Sequence, residues 1–331
     1  MNLSSALDTV IEAPIFTSFT RIGYHARRRL DDWTSLDSYD LTDRVVVLTG
    51  ATSGLGLAAA RQLARCGATI VLVGRNAKKN QAVVDMLIAE TGNHGLSQVA
   101  ADMGDHDQVR ALANAVLRDH DRLDVLIHNA GALSAERRAA PDGIEATVAS
   151  QVVGPFLLTS LLLDRLEASA PSRVLTMSSG GMYSAGLTVN ELQMRPDDYK
   201  GSAQYARAKR AQVTLNEMLA ERFCDRGIYF HSLHPGWADT PGVEEALPMF
   251  RKVVGPLLRT PEQGADTLVW LAADDAALQT NGKFWHDRRT RSIHKLPTTR
   301  STDTPQRRNE LWDWVVATSG TASIFAARHG N

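Results

Sequence analysis

The chain contains 331 residues, 44% of them apolar, which suffices for the core of one α/β domain with extensions. Its 36 basic and 37 acidic side chains nearly cancel, so the composition offers no basic excess for nucleic-acid binding. No continuous apolar stretch reaches about 18 residues and the N-terminus lacks a signal-peptide pattern, which predicts a cytoplasmic protein without a spanning helix. Cys66 and Cys224 are too few for a zinc site and predict buried or half-buried thiols in a reducing compartment.

Residues 1–43 form an N-terminal extension whose apolar side chains recur at helical spacing. These side chains are Ile15, Phe16, Phe19, Ile22, Ala26, Leu30 and Trp33. Four arginines lie mostly on other faces of that helix: Arg21, Arg27, Arg28 and Arg29. Because Pro14 suits a helix start, residues 14–33 are predicted to form an amphipathic helix. That helix either lies on an anionic membrane surface or packs on the protein's own core or on a partner subunit.

From residue 44 onward, short apolar runs alternate with longer helical stretches. The runs predict strands buried on both faces at residues 44–50, 68–74, 96–102, 123–129, 172–178 and 228–234. A shorter strand is predicted at 282–287, where it closes one edge of the sheet. Helices are predicted to begin at Gly54, near Asn76, near Asp105, after Pro141 and at about Ser202. This alternation predicts one α/β domain at 44–296, built on a doubly wound parallel sheet of the Rossmann type. In the tail at 297–331, the segment ELWDWVVA predicts a short docked helix after a polar stretch that ends at Asn309.

The first predicted strand leads into the segment TGATSGLG, whose glycines stand between a strand and a helix. Gly50 permits a tight turn, Gly54 lets the backbone approach a pyrophosphate, and Gly56 allows close helix–strand packing. The helix N-terminus adds free N–H groups and the positive end of its dipole. The segment therefore predicts a dinucleotide site, the alternative being a tight structural turn. The other predicted contacts of this loop are Thr52, Ser53 and Leu55.

The end of the second strand discriminates between NAD and NADP. An acidic side chain there would bind both ribose hydroxyls of NAD, whereas this chain has Arg75, with two lysines close behind it. A cation suits a 2′-phosphate, so the sequence favours NADP and leaves NAD as the alternative if Arg75 simply faces solvent. At the end of the third strand, Asp102, followed by Met103, is predicted either to reach the adenine amino group or to cap the strand end.

Tyr205 and Lys209 are the leading candidates for chemistry, because residues four apart share one helix face. Of the six tyrosines, Tyr205 alone has a lysine four residues later. A nearby ammonium favours phenolate, so Lys209 is expected to lower the pKa of Tyr205 and prepare it for proton transfer. A serine hydroxyl from the MSSGG segment would hold the reacting oxygen. Alternation along the strand allows only one of Ser178 and Ser179 to reach the pocket.

Five segments resemble motifs of the short-chain dehydrogenase/reductase family, in the family's order and over about residues 44–290. They are TGATSGLG, HNAG at 128–131, SSGG, YARAK and HPGWADT at 234–240. Within the family, the chain looks most like the group called member 12, whose substrate is poorly defined.

The resemblance implies an oxidoreductase in which Tyr205 is the general acid/base, Lys209 lowers its pKa and binds ribose, and Ser179 polarises the carbonyl. With the register fixed by Gly154, Gln151 matches a family asparagine that holds a water between the lysine and solvent. The other implied cofactor contacts are Asn129, Ala130, Gly131, Pro235, Gly236 and Thr240.

Residues 237–258 are rich in large apolar side chains and predict a mobile lid over an apolar pocket. The long segment between Ser179 and Tyr205 is expected to form a loop over the same pocket. Such a pocket suits a hydrophobic ketone, aldehyde or secondary alcohol; the alternative function is a catalytically weak NADP-binding sensor or scaffold. The resemblance allows a homodimer or homotetramer. Three histidines are interpreted as structural and not as metal ligands: His128, His231 and His234.

Overall fold

A computed structural model describes residues 3–246 and 248–328 and places one eight-stranded sheet at the centre of the protein. The strands are β1 (Val45–Thr49), β2 (Thr69–Gly74), β3 (Leu96–Ala100), β4 (Val125–His128), β5 (Ser172–Met177), β6 (Ile228–Leu233), β7 (Lys283–His286) and β8 (Arg289–Arg291). Their order in the sheet is β3-β2-β1-β4-β5-β6-β7-β8, and every neighbouring pair is parallel except β7 and β8. The predicted doubly wound fold and the seven predicted strands are confirmed. The strand at 282–287 does not close the edge of the sheet as predicted, because β8 pairs with its outer side.

Strand β8 was not predicted, because its sequence RTR lacks the apolar residues that mark the other strands. It pairs antiparallel with β7 across a tight turn in which Asp287 and Arg288 both have a φ of 54°. Two consecutive residues with positive φ match the twist that a two-residue hairpin requires.

The helices connect these strands and extend the chain at both ends. They are α1 (Leu3–Glu12), α2 (Ile15–Phe19), α3 (Arg21–Leu30), α4 (Gly54–Arg65), α5 (Ala77–Thr91), α6 (His106–Asp119), α7 (Ala146–Val148), α8 (Gly154–Ala168), α9 (Gly201–Arg222), α10 (Pro241–Ala246), α11 (Pro248–Val254), α12 (Pro261–Ala273), α13 (Pro297–Ser301), α14 (Pro305–Ser319) and α15 (Ala322–Arg328). The predicted starts near Asn76 and Asp105 are confirmed, since each side chain caps its helix by accepting backbone N–H bonds.

The sheet separates two apolar cores. Alternate residues of β1 point to opposite faces: Val45 and Val47 join a core with α6, α8 and α9, whereas Val46 and Leu48 join one with α4, α5 and α12. This two-sided burial is why the parallel strands have nearly continuous apolar sequences. The carboxyl ends of the strands consequently meet along one edge, where the candidate site lies.

One helical stretch, Ala146–Ala168, is long and apolar enough by length and composition to cross a membrane. It consists of α7, a π-helical turn at Ala149–Val153, and α8. Because 83% of its apolar window is buried inside the protein, the stretch has the character of a core helix.

The N-terminal extension packs on the rest of the protein through one face. Instead of one helix over 14–33, the chain forms α2 and α3, which are separated at Thr20. Phe19, Tyr24 and Arg27 are buried, so Arg27 does not lie on an outward face as its sequence position indicated. The predicted packing on the protein's own core is thus present for this face, while other apolar side chains of the extension stay exposed.

The segment between Ser179 and Tyr205 packs against the C-terminal tail. Leu187 and Leu192 are each 1% exposed, and the Leu187 amide donates to Thr302 Oγ1 at 3.0 Å. The tail contains three helices, and α14 begins within the stretch that its polar sequence indicated to be irregular. The prediction of a buried thiol is wrong for Cys224, which is exposed, and holds for Cys66.

Candidate active site

The loop between β1 and α4 follows a tight path that side chains would obstruct. Gly50 and Gly54 have φ values of 69° and 52°, which favour glycine. A Cβ at Gly56 would lie 2.0 Å from the Gly50 carbonyl oxygen, and one at Gly50 would lie 2.8 Å from Ala130 Cα. The side chain of Ser53, at the N-cap of α4, makes no capping bond to the first helical turn. The loop thus has the shape and the helix N-terminus of an anion cradle.

Asn129 joins the end of β4 to this loop. Its Nδ2 donates to the carbonyl oxygens of Thr49 at 3.0 Å and Gly50 at 3.1 Å. In return, Thr49 Oγ1 accepts the backbone N–H groups of Asn129 and Ala130. The HNAG segment therefore links the end of β4 to the end of β1. The next residue, Gly131, is exposed beside them.

Ser179, Tyr205 and Lys209 come together at the end of β5 and in the first half of α9. A Cβ placed on Gly181 would lie 3.5 Å from Ser179 Oγ and 3.8 Å from Tyr205 Cδ1, and Lys209 Nζ lies 5.4 Å from the centre of the tyrosine ring. Lys209 is 2% exposed and donates to the Met177 carbonyl at 2.9 Å. Ser178 points away, is buried, and donates to the backbone oxygen of Lys209 at 3.4 Å. Of the two serines, the structure thus brings Ser179 to the tyrosine.

The pKa values of the pair differ from the sequence expectation. Burial raises the pKa of Tyr205, and this effect exceeds the lowering by the Ser179 hydrogen bond. Burial lowers the pKa of Lys209 to about 7, because a charged ammonium loses hydration there. The net shift of the Tyr205 pKa is therefore opposite to the lowering that was expected from Lys209. Both shifts favour the neutral forms of the two groups.

Gln151 lies on the π-helical turn and faces the same lysine. Its Nε2 donates to the Ala132 carbonyl at 2.7 Å, while its buried Oε1 has no hydrogen-bond partner in the described part of the chain. A Cβ at Gly131 would lie 2.9 Å from this oxygen and 3.4 Å from Lys209 Nζ. The unsatisfied oxygen is thus suited to hold a water beside the lysine. A π turn is frequent at functional sites, and the helical periodicity of the sequence gave no sign of it.

The predicted contacts for the adenosine end of the cofactor lie at the ends of β2 and β3. Arg75 is exposed directly after Gly74, where a Cβ would lie 3.2 Å from Thr52 Cγ2 of the glycine loop. Asp102 is half-buried and its Oδ1 accepts the Gly104 amide at 2.9 Å, which agrees with the alternative of a local cap. Met103 is buried. Leu55 is half-buried at the start of α4.

The opposite end of the cleft is the turn after β6. Gly236 has a φ of 75°, and a Cβ there would lie 2.3 Å from Arg259 Nε, so the turn tolerates only glycine. Pro235 precedes it and is half-buried. Thr240 returns to the glycine loop, with its Cβ 3.3 Å from the position of a Cβ on Gly54. The turn after β6 therefore lies beside the glycine loop.

The three predicted structural histidines are buried inside the protein. His128 Nε2 contacts Thr159 Oγ1 at 2.7 Å, and burial lowers the pKa of His128 to about 3. His234 stacks on His286 with ring centres 4.3 Å apart. Within residues 3–246 and 248–328, no group of three His, Cys, Asp or Glu side chains is arranged to hold a metal ion.

Two residues at this edge were missed from the sequence: Phe19 and Arg259. Phe19 comes from the N-terminal extension, and a Cβ on Gly180, next to Ser179, would lie 2.7 Å from its ring. Arg259 is 1% exposed and donates to backbone oxygens of the extension. No local motif marks either residue, because each one's role depends on contacts far along the chain.

Several known proteins are similar to this chain in sequence and in fold. The family described as short chain dehydrogenase matches residues 44–249. Dehydrogenase/reductase SDR family member 12 of Homo sapiens is 37% identical over 295 residues, covering 88% of this chain and 91% of that protein. Retinol dehydrogenase 13 of Homo sapiens is 31% identical over 251 residues, covering 73% of this chain and 76% of that protein.

Among solved structures, a short chain dehydrogenase of Escherichia coli complexed with NADPH has a TM-score of 0.63 and 26% identity. The match covers 77% of this chain and 100% of that one. The likeness to the member 12 group read from the motifs is confirmed. The chain therefore belongs to the short-chain dehydrogenase/reductase family of NAD(P)-dependent oxidoreductases.

Proposed function

We propose that the protein reduces hydrophobic ketones or aldehydes with NADPH, or oxidises the matching alcohols. The observation that carries this proposal is the convergence of Ser179, Tyr205 and Lys209 beside the Gly181 turn. Tyr205 exchanges the proton of the substrate oxygen, Ser179 holds and polarises that oxygen, and Lys209 supports Tyr205 and binds ribose. Gln151 holds the water that connects Lys209 to solvent.

The residues present fit a dinucleotide. The glycine loop provides a cradle that a Cβ at Gly50 or Gly56 would fill, next to a helix N-terminus that Ser53 does not cap. When bound, the nicotinamide supplies or accepts hydride. Asn129, Ala130, Gly131, Pro235, Gly236 and Thr240 line the rest of the proposed groove.

NADP is the proposed cofactor because Arg75 is exposed directly after Gly74, and a Cβ on Gly74 would lie 3.2 Å from Thr52 Cγ2 of the glycine loop. The similar Escherichia coli structure holds NADPH, which agrees with this choice. Arg75→Asp is expected to weaken NADPH binding about tenfold or more and to leave NADH binding less affected. Equal affinity of the parent protein for both cofactors would contradict the assignment.

The substrate class rests on the character of the lid and on the relatives. Residues 237–258 include α10 and α11, and Trp237, Leu258 and Phe250 bring apolar surface to this side of the cleft. Relatives such as retinol dehydrogenase 13 indicate alcohol or carbonyl substrates. We therefore place a hydrophobic small molecule above Tyr205. We also propose that the protein forms a homodimer or homotetramer.

The proposed location is the cytoplasm, with peripheral contact at a membrane surface. On α2 and α3, Ile15, Phe16 and Ile22 are 50%, 43% and 48% exposed. On α11, Met249 and Val253 are 71% and 73% exposed. Exposed arginines accompany this apolar surface on α3, a combination that suits anionic lipid. Ile22→Asp is expected to abolish flotation with vesicles that contain phosphatidylserine, and unchanged flotation would contradict the contact.

A catalytically weak sensor or scaffold is the second candidate, and the raised pKa of Tyr205 together with the Gln151 substitution favours it. Substrate panels followed by NADPH absorbance distinguish the two. Tyr205→Phe is expected to lower turnover at least about 100-fold while NADPH affinity stays within about twofold. Tyr229→Phe, on β6, is the matched control and keeps parental turnover. Retained activity in Tyr205→Phe would refute the mechanism, and NADPH binding without turnover on any carbonyl would favour the sensor.

A further inference from the structure

The end of α2 lies against the segment that carries Ser179. Phe19 is 3% exposed, and its ring occupies the space in which a side chain on Gly180 would stand, with 2.7 Å between that Cβ position and Phe19 Cε2. The same ring packs edge-on against His234, with centres 4.1 Å apart. Phe19 thus fills the gap between the turn after β5 and the turn after β6. These two turns hold the proposed oxygen-binding serine and one end of the proposed cofactor groove.

The backbone of Phe19 also holds the root of the lid. Its carbonyl oxygen accepts the Trp237 amide at 2.7 Å, and the Trp237 carbonyl accepts the Arg259 amide at 2.8 Å. The rings of Phe19 and Trp237 meet edge-on at 5.7 Å. The first residue of the lid is therefore bonded on one side to the extension and on the other to the end of the lid.

Arg259 fixes the position of Phe19. Its guanidinium donates to the carbonyl oxygens of Ser18 at 2.9 Å, Phe19 at 3.1 Å and Thr20 at 3.3 Å. These are carbonyls at the C-terminal end of α2, which lack partners within that helix. The same guanidinium forms an ion pair with Asp287, and both side chains are 1% exposed. The break between α2 and α3 is thus held at one place against the body of the protein.

We infer that the N-terminal extension is part of the active-site architecture, with Phe19 as a positioning residue that sets Ser179 and the lid root at Trp237. This inference rests on the proposed function for its catalytic consequence. Phe19 acts through the Gly180 turn and through Trp237, and it need not touch the substrate. The extension therefore belongs to the working enzyme and is more than an appended anchor.

The first test compares Phe19→Ala with Phe19→Leu in the full chain. We expect Phe19→Ala to lower kcat about tenfold or more, since small displacements of catalytic groups are costly, while the KM for NADPH stays within about twofold. Phe19→Leu refills much of the volume and should recover most of kcat. Phe325→Ala removes another buried phenylalanine, on α15, and is the control for general destabilisation. It should keep parental kcat and KM at temperatures where it is folded.

The second test is independent of turnover. Hydrogen exchange is measured at the Gly181 amide, which bonds Ser179 Oγ at 3.1 Å, and at the Trp237 amide. Both should exchange faster in Phe19→Ala and remain protected in Phe325→Ala. If the parental protein reduces no carbonyl, the proposed function fails, yet the exchange data still decide the positioning role. Parental exchange at both amides in Phe19→Ala would overturn the inference, as would a kcat loss that Phe325→Ala matches.

Discussion

The N-terminal extension is joined to the sheet by a buried arginine, and replacing it should cost a large fraction of the protein's stability. Arg27 is wholly buried and pairs with Asp8 at 2.8 Å, Glu12 at 2.8 Å and Asp287 at 2.7 Å. Arg27→Met keeps most of the side-chain length and removes the charge. Three buried or half-buried carboxylates then lose one cation.

The loss of stability depends on the cations that still pair with the three carboxylates after Arg27 is replaced. Removing one partner of a buried ion pair costs about 3–5 kcal/mol. Here each carboxylate keeps a second cation: Asp8 keeps Arg291, Glu12 keeps Lys295 and Asp287 keeps Arg259. We therefore expect the lower end, about 3 kcal/mol. For a chain of 331 residues that corresponds to a fall in Tm of about 4 °C.

The assay is urea and thermal unfolding at pH 7, with Arg28→Met as the matched control. Arg28 is the next residue and is exposed, so its replacement should change the free energy of unfolding by less than about 0.5 kcal/mol. Combining Arg27→Met with Asp287→Asn should cost less than the sum of the single changes, because the two residues are in contact. Equal unfolding midpoints for Arg27→Met and Arg28→Met would refute the reasoning.

Three further predictions concern acid, the glycine loop and the amide near the lysine. Burial lowers the pKa values of His128 and His286 to about 3 and about 4. Below pH ~6.5 the unfolded chain therefore binds protons at these histidines that the folded protein does not bind. The free energy of unfolding should fall by about 1.4 kcal/mol per pH unit for each histidine between about pH 6.5 and 4. Urea unfolding at pH 7 and pH 5 measures this fall. Gly56→Ala should abolish the Tm increase that NADPH gives, because its Cβ would lie 2.0 Å from a backbone oxygen, whereas Gly255→Ala, with open space around it, should keep that increase. Gln151→Leu should lower kcat about tenfold with little change in the KM for NADPH, and unchanged kcat would remove the amide from the proton route.

The parts of the site that the sequence predicted depend on local signals. The glycine loop between β1 and α4 is visible because its backbone needs positive φ at Gly50 and Gly54. The pairing of Tyr205 with Lys209 follows from helical spacing. Alternation at a strand end allows only one of Ser178 and Ser179 to reach the pocket, and the resemblance to the family's motif selected Ser179. Each of these signals comes from residues a few positions apart, so it can be recognised without knowing the tertiary fold.

The parts that the sequence did not predict depend on distant contacts. Arg27 and Asp287 are 260 positions apart, so nothing local distinguishes buried Arg27 from exposed Arg28. Strand β8 was likewise not predicted, because its residues are polar although it pairs with β7. The predicted sign of the Tyr205 pKa shift was wrong because the prediction assumed a full positive charge on Lys209, four residues away. Burial, which no sequence pattern gives directly, lowers the pKa of Lys209 to about 7, so the lysine carries only part of that charge at neutral pH.

That burial bears on the direction of the reaction. The raised pKa of Tyr205 and the lowered pKa of Lys209 have one cause, which is the loss of hydration of their charged forms. Both shifts favour the neutral forms, and a neutral phenol donates a proton to a carbonyl oxygen, whereas it must lose its proton before it accepts one from an alcohol. A Cβ on Gly181 would lie 3.5 Å from Ser179 Oγ and 3.8 Å from Tyr205 Cδ1, so the serine hydroxyl and the tyrosine ring border one small space, where the carbonyl oxygen of the proposed reaction would lie. The neutral phenol therefore suits the proposed reduction more directly than the reverse oxidation, which needs an ammonium at Lys209 to lower the pKa of Tyr205.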